Sequence, residues 1–356
     1  MNDPGIPNPP EILYPDEVPP GASGRERASE ATKAKPETSS SPVAEWARKV
    51  VAELNQVFIG QEELVRGVLA ALLAGGHVLI ESVPGLGKTL LVRALGKVLG
   101  CAFNRIQFTP DLMPSDVTGS PVFDERIHDF RFRPGPVFTQ LLLADEINRA
   151  PAKTHSALLE IMQEAHVTID GVNHPIERPF LVMATQNPIE SEGTYNLPEA
   201  QLDRFLFKLV AGYPSTEEET NILRLHTRGQ PPDAELTAGL ATVTGAAEVR
   251  AMQRRCAEVL VDEHVLGYIA ALVRKTRRWP TFSLGASPRA GVAVLRGARA
   301  VAALEGRDFV LPDDVQEVAL PALRHRVMLT PEAEVEGRGP DELLTELIRS
   351  VEVPLR

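Results

Sequence analysis

Only two cysteines, Cys101 and Cys256, occur in 356 residues. That excludes a disulfide framework and a cysteine-rich zinc site, and it fits a reducing compartment, so a cytoplasmic protein is expected. Nowhere do about 18 apolar residues run together, so no membrane-spanning helix is expected. The opening MNDPGIPNPP has neither a basic start nor an apolar stretch, and no secretory leader is expected. Basic residues are also in deficit: 37 Lys plus Arg against 48 Asp plus Glu, a net charge of −11. This weighs against a nucleic-acid grip built on a broad basic surface, though a local basic pore could sit within an acidic total. What is present is ordinary for a globular protein, with 43% hydrophobic and 24% charged residues. At roughly 100–200 residues per domain the length allows about two domains.

Residues 1–42 stand apart, with nine prolines and almost no apolar periodicity. Such a segment cannot bury enough surface to offset its ordering entropy, so a disordered tail is expected there. From Val43 apolar residues recur at helical spacing (Ala47, Val50, Val51, Leu54). Short apolar runs at His77–Glu81, Leu141–Ala144 and Phe180–Thr185 read as strands, with a weaker pair at Phe103–Phe108 and Phe205–Val210. Continuous rather than alternating apolar strands point to a parallel sheet covered on both faces. Helical patterns at Lys88–Leu99 and Ala152–Ala165 alternate with them, the signature of an α/β fold. Gly119–Arg133 and Val167–Ile176 break the rhythm and read as inserted β-hairpins, the second turning at Asp170-Gly171. Near residue 213 the character changes. Ser215 followed by Glu218 is a capping-box start, and the remainder reads as helical with no convincing strand. The expected division is a core over 43–212 and a smaller all-helical domain over 213–356. No internal repeat is visible.

The strongest motif is Ser82-Val83-Pro84-Gly85-Leu86-Gly87-Lys88-Thr89, between a strand and a helix. Gly85 and Gly87 allow backbone N–H groups to converge on phosphate oxygens, and the helix N-terminus adds partial positive charge. Lys88 would reach the β- and γ-phosphates, and the Thr89 hydroxyl would ligate Mg²⁺. The strict pattern fails at one place, where Ser82 replaces the first glycine. A second motif ends the run Leu141–Ala144 with Asp145 and Glu146. Two carboxylates at the end of a buried strand are costly unless metal or water meets them. Asp145 suits the Mg²⁺ shell, and Glu146 suits polarisation of an attacking water. A third run, FLVMATQN, would set Asn187 beside the γ-phosphate if its strand lies between the other two; an ordinary turn Asn before Pro188 is the alternative. Arg204 follows a short helix and Arg289 opens one, and each alone reads as a surface charge.

Together these stretches resemble the AAA+ ATPases and, more narrowly, the MoxR group. The resemblance runs from about Val43 to Met328. It rests on VPGLGKT (83–89), PDLMPSDVTG (110–119), GPVF (135–138), LLLADEINRAPAKT (141–154), ALLEIMQE (157–164), ATQNPIE…GTYNLPEAQLDRF (184–205) and LGASPRA (284–290). It implies a P-loop αβα core followed by a helical lid. It implies Asn187 as sensor 1, Arg289 as sensor 2, and Arg204 as the finger reaching a neighbouring subunit. It places Ile59, Gly60 and Gln61, within 57–61, in the adenine pocket, and Val83, Pro84, Leu86 and Leu90 beside the nucleotide. The hairpins match pore-facing inserts of relatives. The expected activity is Mg²⁺-dependent ATP hydrolysis by a ring, most simply a hexamer. It would remodel a client protein for maturation or metal-cofactor insertion, with a von Willebrand factor A domain protein as a further partner. A nucleic-acid motor and a nucleotide-gated module without turnover are the alternatives. Departures from the family pattern are Ser82, His155 and the tail.

Overall fold

The computed structural model describes residues 41–354 except 127, 188–194, 196 and 228–232. The expected tail up to residue 40, and part of the 184–205 motif, lie outside the described residues.

The first half contains helices α1 (Pro42–Leu54), α2 (Glu62–Leu73), strand β1 (Val78–Ser82), α3 (Lys88–Leu99), β2 (Phe103–Gln107), α4 (Pro114–Thr118), and the hairpin β3 (Gly119–Asp124) and β4 (Asp129–Pro134). Next come β5 (Leu141–Asp145), a 3₁₀ turn at Ile147–Arg149, α5 (Ala152–Glu164), the hairpin β6 (His166–Ile169) and β7 (Val172–Pro175), β8 (Leu181–Gln186), α6 (Glu199–Leu202) and β9 (Phe207–Ala211). The second half contains α7 (Thr216–His226), α8 (Asp233–Ala238), α9 (Ala246–Ala257), α10 (Glu263–Thr276), β10 (Phe282–Leu284), α11 (Pro288–Leu304), α12 (Pro312–Leu323), β11 (Met328–Leu329), α13 (Pro331–Val335) and α14 (Pro340–Arg349).

Five strands form one parallel sheet in the order β2-β5-β8-β1-β9. The central strands are apolar without alternation because both faces are covered. Val78, Ile80, Leu141, Leu143, Leu181 and Met183 pack on one side with α1, α2, α3 and the second-half helices. Leu79, Leu142, Ala144, Val182 and Ala184 pack on the other side with α5. Residues from both halves of the chain thus belong to one buried cluster. His77, just before β1, is fully buried; its Nδ1 accepts from Val182 N–H, so Nε2 carries the proton it donates to Met162 O at 3.0 Å.

Both inserted hairpins are present, antiparallel and outside the sheet. Ser215 caps α7 as the sequence implies: Glu218 N–H donates to its Oγ, and the Glu218 carboxylate accepts from Ser215 N–H at 2.7 Å. Two expectations need correction. Pro42 is the first residue of α1 and not the last of the tail. The second half is not strand-free, because β10 and β11 pair antiparallel. At three and two residues they are too short for an alternating pattern to register, and the chain contacts around them, such as Thr330 N–H to Thr281 O, hold them. Cys101 and Cys256 are free and buried, and burial pushes their thiols up to about 11 and about 12. Among the described residues no helix is long and apolar enough to cross a membrane.

Candidate nucleotide site

The C-terminal ends of β1, β5 and β8 converge on one cavity, where open parallel sheets hold their ligands. β1 runs into the loop 83–87, and α3 begins at Lys88. Gly85 and Gly87 have φ of +86° and +71°. A Cβ at Gly85 would meet nothing within 4 Å, so the left-handed dihedral and not crowding calls for glycine there. Lys88 Nζ donates to Ser82 Oγ at 2.6 Å and to Val83 O at 3.1 Å. The serine that departs from the family pattern therefore seats the loop's lysine. Burial lowers the Lys88 pKa, and the carboxylates of Asp145 and Glu146 oppose that shift.

Asp145 closes β5. Its Oδ1 accepts from Thr185 Oγ1 and its Oδ2 from Arg105 Nη2, both at 2.6 Å. Glu146 follows with φ of +54°. A non-glycine residue is uncommon in that region, and such geometry clusters at functional sites. Its N–H donates to Thr185 Oγ1 at 2.9 Å, while its Oε2 accepts from Gln107 Nε2 at 2.6 Å and Arg149 Nη1 at 3.0 Å. One buried hydroxyl, Thr185, thus orients both acidic residues. β8 does lie between β5 and β1, and Asn187 follows its last residue.

The cavity measures about 500 Å³, within the rough 300–1,000 Å³ range of small-molecule pockets. Ile59, Gln61, Pro84, Gly85, Leu86, Gly87, Lys88, Thr89 and Leu90 line it, as do Asp145, Glu146 and Asn187. Gly60 and Val83 adjoin lining residues without lining it themselves. Arg204 and Arg289 lie elsewhere. Arg204 Nη1 donates to Leu159 O of α5 at 2.8 Å. Asp203 pairs with Arg326, not with its neighbour Arg204, and Arg289 Nη1 stands 4.0 Å from the same carboxylate.

Sequence reasoning missed several lining residues: Arg105, Gln107, Thr185, Gln186, Pro214, Ile222 and Leu225. Arg105 and Gln107 alternate with buried Ile106 and Phe108, a period-2 signal that marks one face of β2. Ile222 and Leu225, spaced i, i+3 in a helix whose first turn is acidic, signal an apolar contact.

Among the described residues no group of three or more His, Cys, Asp or Glu is placed to hold a metal alone. Mg²⁺ commonly takes one or two carboxylates plus substrate phosphates, and Asp145 with the Thr89 hydroxyl fits that donor set.

Residues 77–207 match the family described as ATPase family associated with various cellular activities, and residues 274–347 match the AAA lid domain. The chain is 42% identical to Chaperone MoxR1 of Mycobacterium tuberculosis over 93% of this chain and 89% of that protein. It is 48% identical to the uncharacterised protein YeaC of Bacillus subtilis, over 86% of this chain and 95% of that one. Identity to Protein MoxR of Methylorubrum extorquens is 32%, covering 86% and 93%. A crystal structure of a Cytophaga hutchinsonii protein described as an ATPase superposes with a TM-score of 0.80 at 38% identity, covering 88% of this chain and 97% of that chain.

Proposed function

The chain belongs to the MoxR group of AAA+ ATPases, and from that premise we propose that it works as a Mg²⁺-dependent ATPase motor assembled into a ring of like subunits, in the family's manner a hexamer. The observation that carries the reading is the division of the site. One cavity gathers the phosphate loop, both carboxylates and Asn187, while Arg204 lies outside it. Arg289 also lies outside it, so two cations remain to be supplied, which fits one brought by movement of the lid and one delivered by the adjacent subunit.

In this mechanism the loop N–H groups and Lys88 hold the β- and γ-phosphates. Thr89 and Asp145 would hold Mg²⁺, which when bound would neutralise phosphate charge. Glu146 accepts the proton-side hydrogen bond of the attacking water, and Asn187 orients that water. Arg204 of the next subunit stabilises charge in the transition state, an effect that can reach about 10³–10⁵ in rate. Ile59, Leu90, Ile222 and Leu225 offer the base an apolar wall. Arg289 senses the γ-phosphate after a lid movement.

The hairpins support a chaperone-like remodelling role. Phe123 and Phe130 are exposed on the first, with rings 5.5 Å apart. Phe132 of the first stacks on His174 of the second at 4.1 Å, so the two hairpins are coupled. The client is a partner protein undergoing maturation or metal-cofactor insertion, alone or with a von Willebrand factor A domain protein, in the cytoplasm.

The test is an ATPase assay across protein concentration, with Glu146→Gln as the blank. Specific activity should rise as subunits associate, and the variant should lose about 10²–10⁴-fold in turnover while binding nucleotide. Activity per subunit that stays flat with concentration would remove the ring from the proposal.

A further inference from the structure

Asp203 sits where three parts of the chain meet. It ends α6 and directly precedes Arg204. Its Oδ1 accepts from Arg326 Nε at 2.6 Å, and its Oδ2 accepts from Ser287 Oγ at 3.1 Å and faces Arg289 Nη1 at 4.0 Å. Ser287 and Arg289 flank the start of α11, and Arg326 follows α12.

Arg326 does more than pair with that carboxylate. Its Nη2 donates to Asp203 O at 3.0 Å and to Phe205 O at 2.6 Å, and its Nη1 donates to Leu206 O at 3.1 Å. The carbonyls on both sides of Arg204 are therefore held by one guanidinium. His325 adds Nε2 to Phe205 O at 3.1 Å. The Arg326 side chain is only 3% exposed. A planar fork with five donors meeting several acceptors at once leaves the segment little freedom to shift alone.

We infer that Asp203 is a positioning residue for ATP hydrolysis, fixing Arg204 to the second-half helices through Arg326, Ser287 and Arg289. This rests on the reading of Arg204 as a finger that serves the neighbouring site. The physical consequence is directional. Movement of α11 and α12 on nucleotide binding would pull on the Arg204 segment, because the hydrogen bonds at 203, 205 and 206 share one buried cation, against the segment's own bonds to the core at Leu159 O and His77 O. The state of one subunit's nucleotide would then reach the next subunit's reaction through Arg204.

Mixing experiments read that direction. Asp203→Asn keeps the side-chain shape and removes the charge. Its turnover should fall about ten-fold or more, with affinity for a fluorescent ATP analogue within about two-fold of the parent. Mixed with Lys88→Ala subunits it should regain turnover, because Lys88→Ala contributes an intact Arg204 segment to an intact phosphate loop. Mixed with Arg204→Ala it should regain none. Turnover restored by Arg204→Ala instead, or an analogue affinity ten-fold weaker at unchanged kcat, would assign Asp203 to its own subunit's site and overturn the inference. So would a parent rate in Asp203→Asn.

The finger reading is tested separately, by Arg204→Ala alone and by its mixture with Lys88→Ala. If Arg204→Ala keeps the parent rate, that reading falls and takes the inference with it. If Arg204→Ala loses turnover and Asp203→Asn does not, only the inference falls. Should Asp203→Asn lose its cooperative melt, Ser287→Ala replaces it. Ser287 makes no side-chain cap bond to α11, so its loss removes only the bond to Asp203. The same mixing pattern is expected with a drop of about two- to three-fold, and its absence counts against the inference.

Discussion

The nucleotide cavity and the junction at Asp203 both set arginines against carboxylates, but in opposite solvent. In the cavity, Arg105 on Asp145 and Arg149 on Glu146 are 46% and 44% exposed. At the junction, Arg326 is 3% exposed; the carboxylates are alike, 13% and 27% exposed in the cavity and 22% at Asp203, so the contrast lies in the arginines. Exposed pairs are worth about 0–1 kcal/mol, whereas breaking a buried one costs about 3–5 kcal/mol. The contrast matches the two tasks. On the proposed reading, carboxylates that would receive Mg²⁺ and water are held by partners that leave cheaply. On the same reading, a segment that would keep an arginine aimed at a neighbour is held by one that does not leave.

The largest effect should come from the junction. Arg326→Met removes the fork, takes the nearest cation from the Asp203 carboxylate and strands the carbonyls of residues 203 and 206, while Phe205 O keeps His325, so unfolding free energy by denaturant should fall by about 3–5 kcal/mol. A loss under about 1 kcal/mol would erase the contrast with the cavity pairs.

A buried neutral group sharpens it. Burial lowers His77 from the ordinary 6.5 to about 4, with the hydrogen bond to Met162 opposing. The folded state thus binds its proton less readily than the unfolded chain. The stabilisation is complete above pH 6.5 and is lost as pH falls toward 4, on the order of 3 kcal/mol. Burial moves His325 in the same direction. Unfolding free energy measured from pH 7 to 4.5 should fall, and less steeply in His77→Asn; equal slopes in the two proteins would contradict the assignment.

The smallest effect on stability should come from Arg105→Ala, under about 1 kcal/mol. Freed of its guanidinium, Asp145 should then take Mg²⁺ more readily. The Mg²⁺ concentration that half-saturates binding of a fluorescent ATP analogue should drop, by about two- to five-fold. An unchanged midpoint would mean that Arg105 does not compete with the metal.

Much of the core was legible because its information is local. The sheet strands are apolar runs, α3 starts where the phosphate loop needs a helix N-terminus, and the Asp170-Gly171 turn marks its hairpin. Ser215 and Glu218 cap α7 within one turn of each other. Ser82 read as a defect, yet its hydroxyl holds Lys88 six residues on. β10 and β11 were illegible, because strands of three and two residues carry no period of their own.

By itself, then, the sequence determined the parallel sheet, the phosphate loop and the acidic pair that follows β5. Each depends on neighbours a few residues apart, through backbone dihedrals, apolar periodicity and capping. Only the tertiary structure decided which groups surround those carboxylates. Arg105 and Gln107 reach them from β2, and Thr185 reaches both from β8. It alone decided the partner of Asp203, where the adjacent Arg204 loses to Arg326, 123 residues away. Which cation a carboxylate takes is set by the burial and geometry of the two groups in space, and a linear chain does not carry that until it has folded.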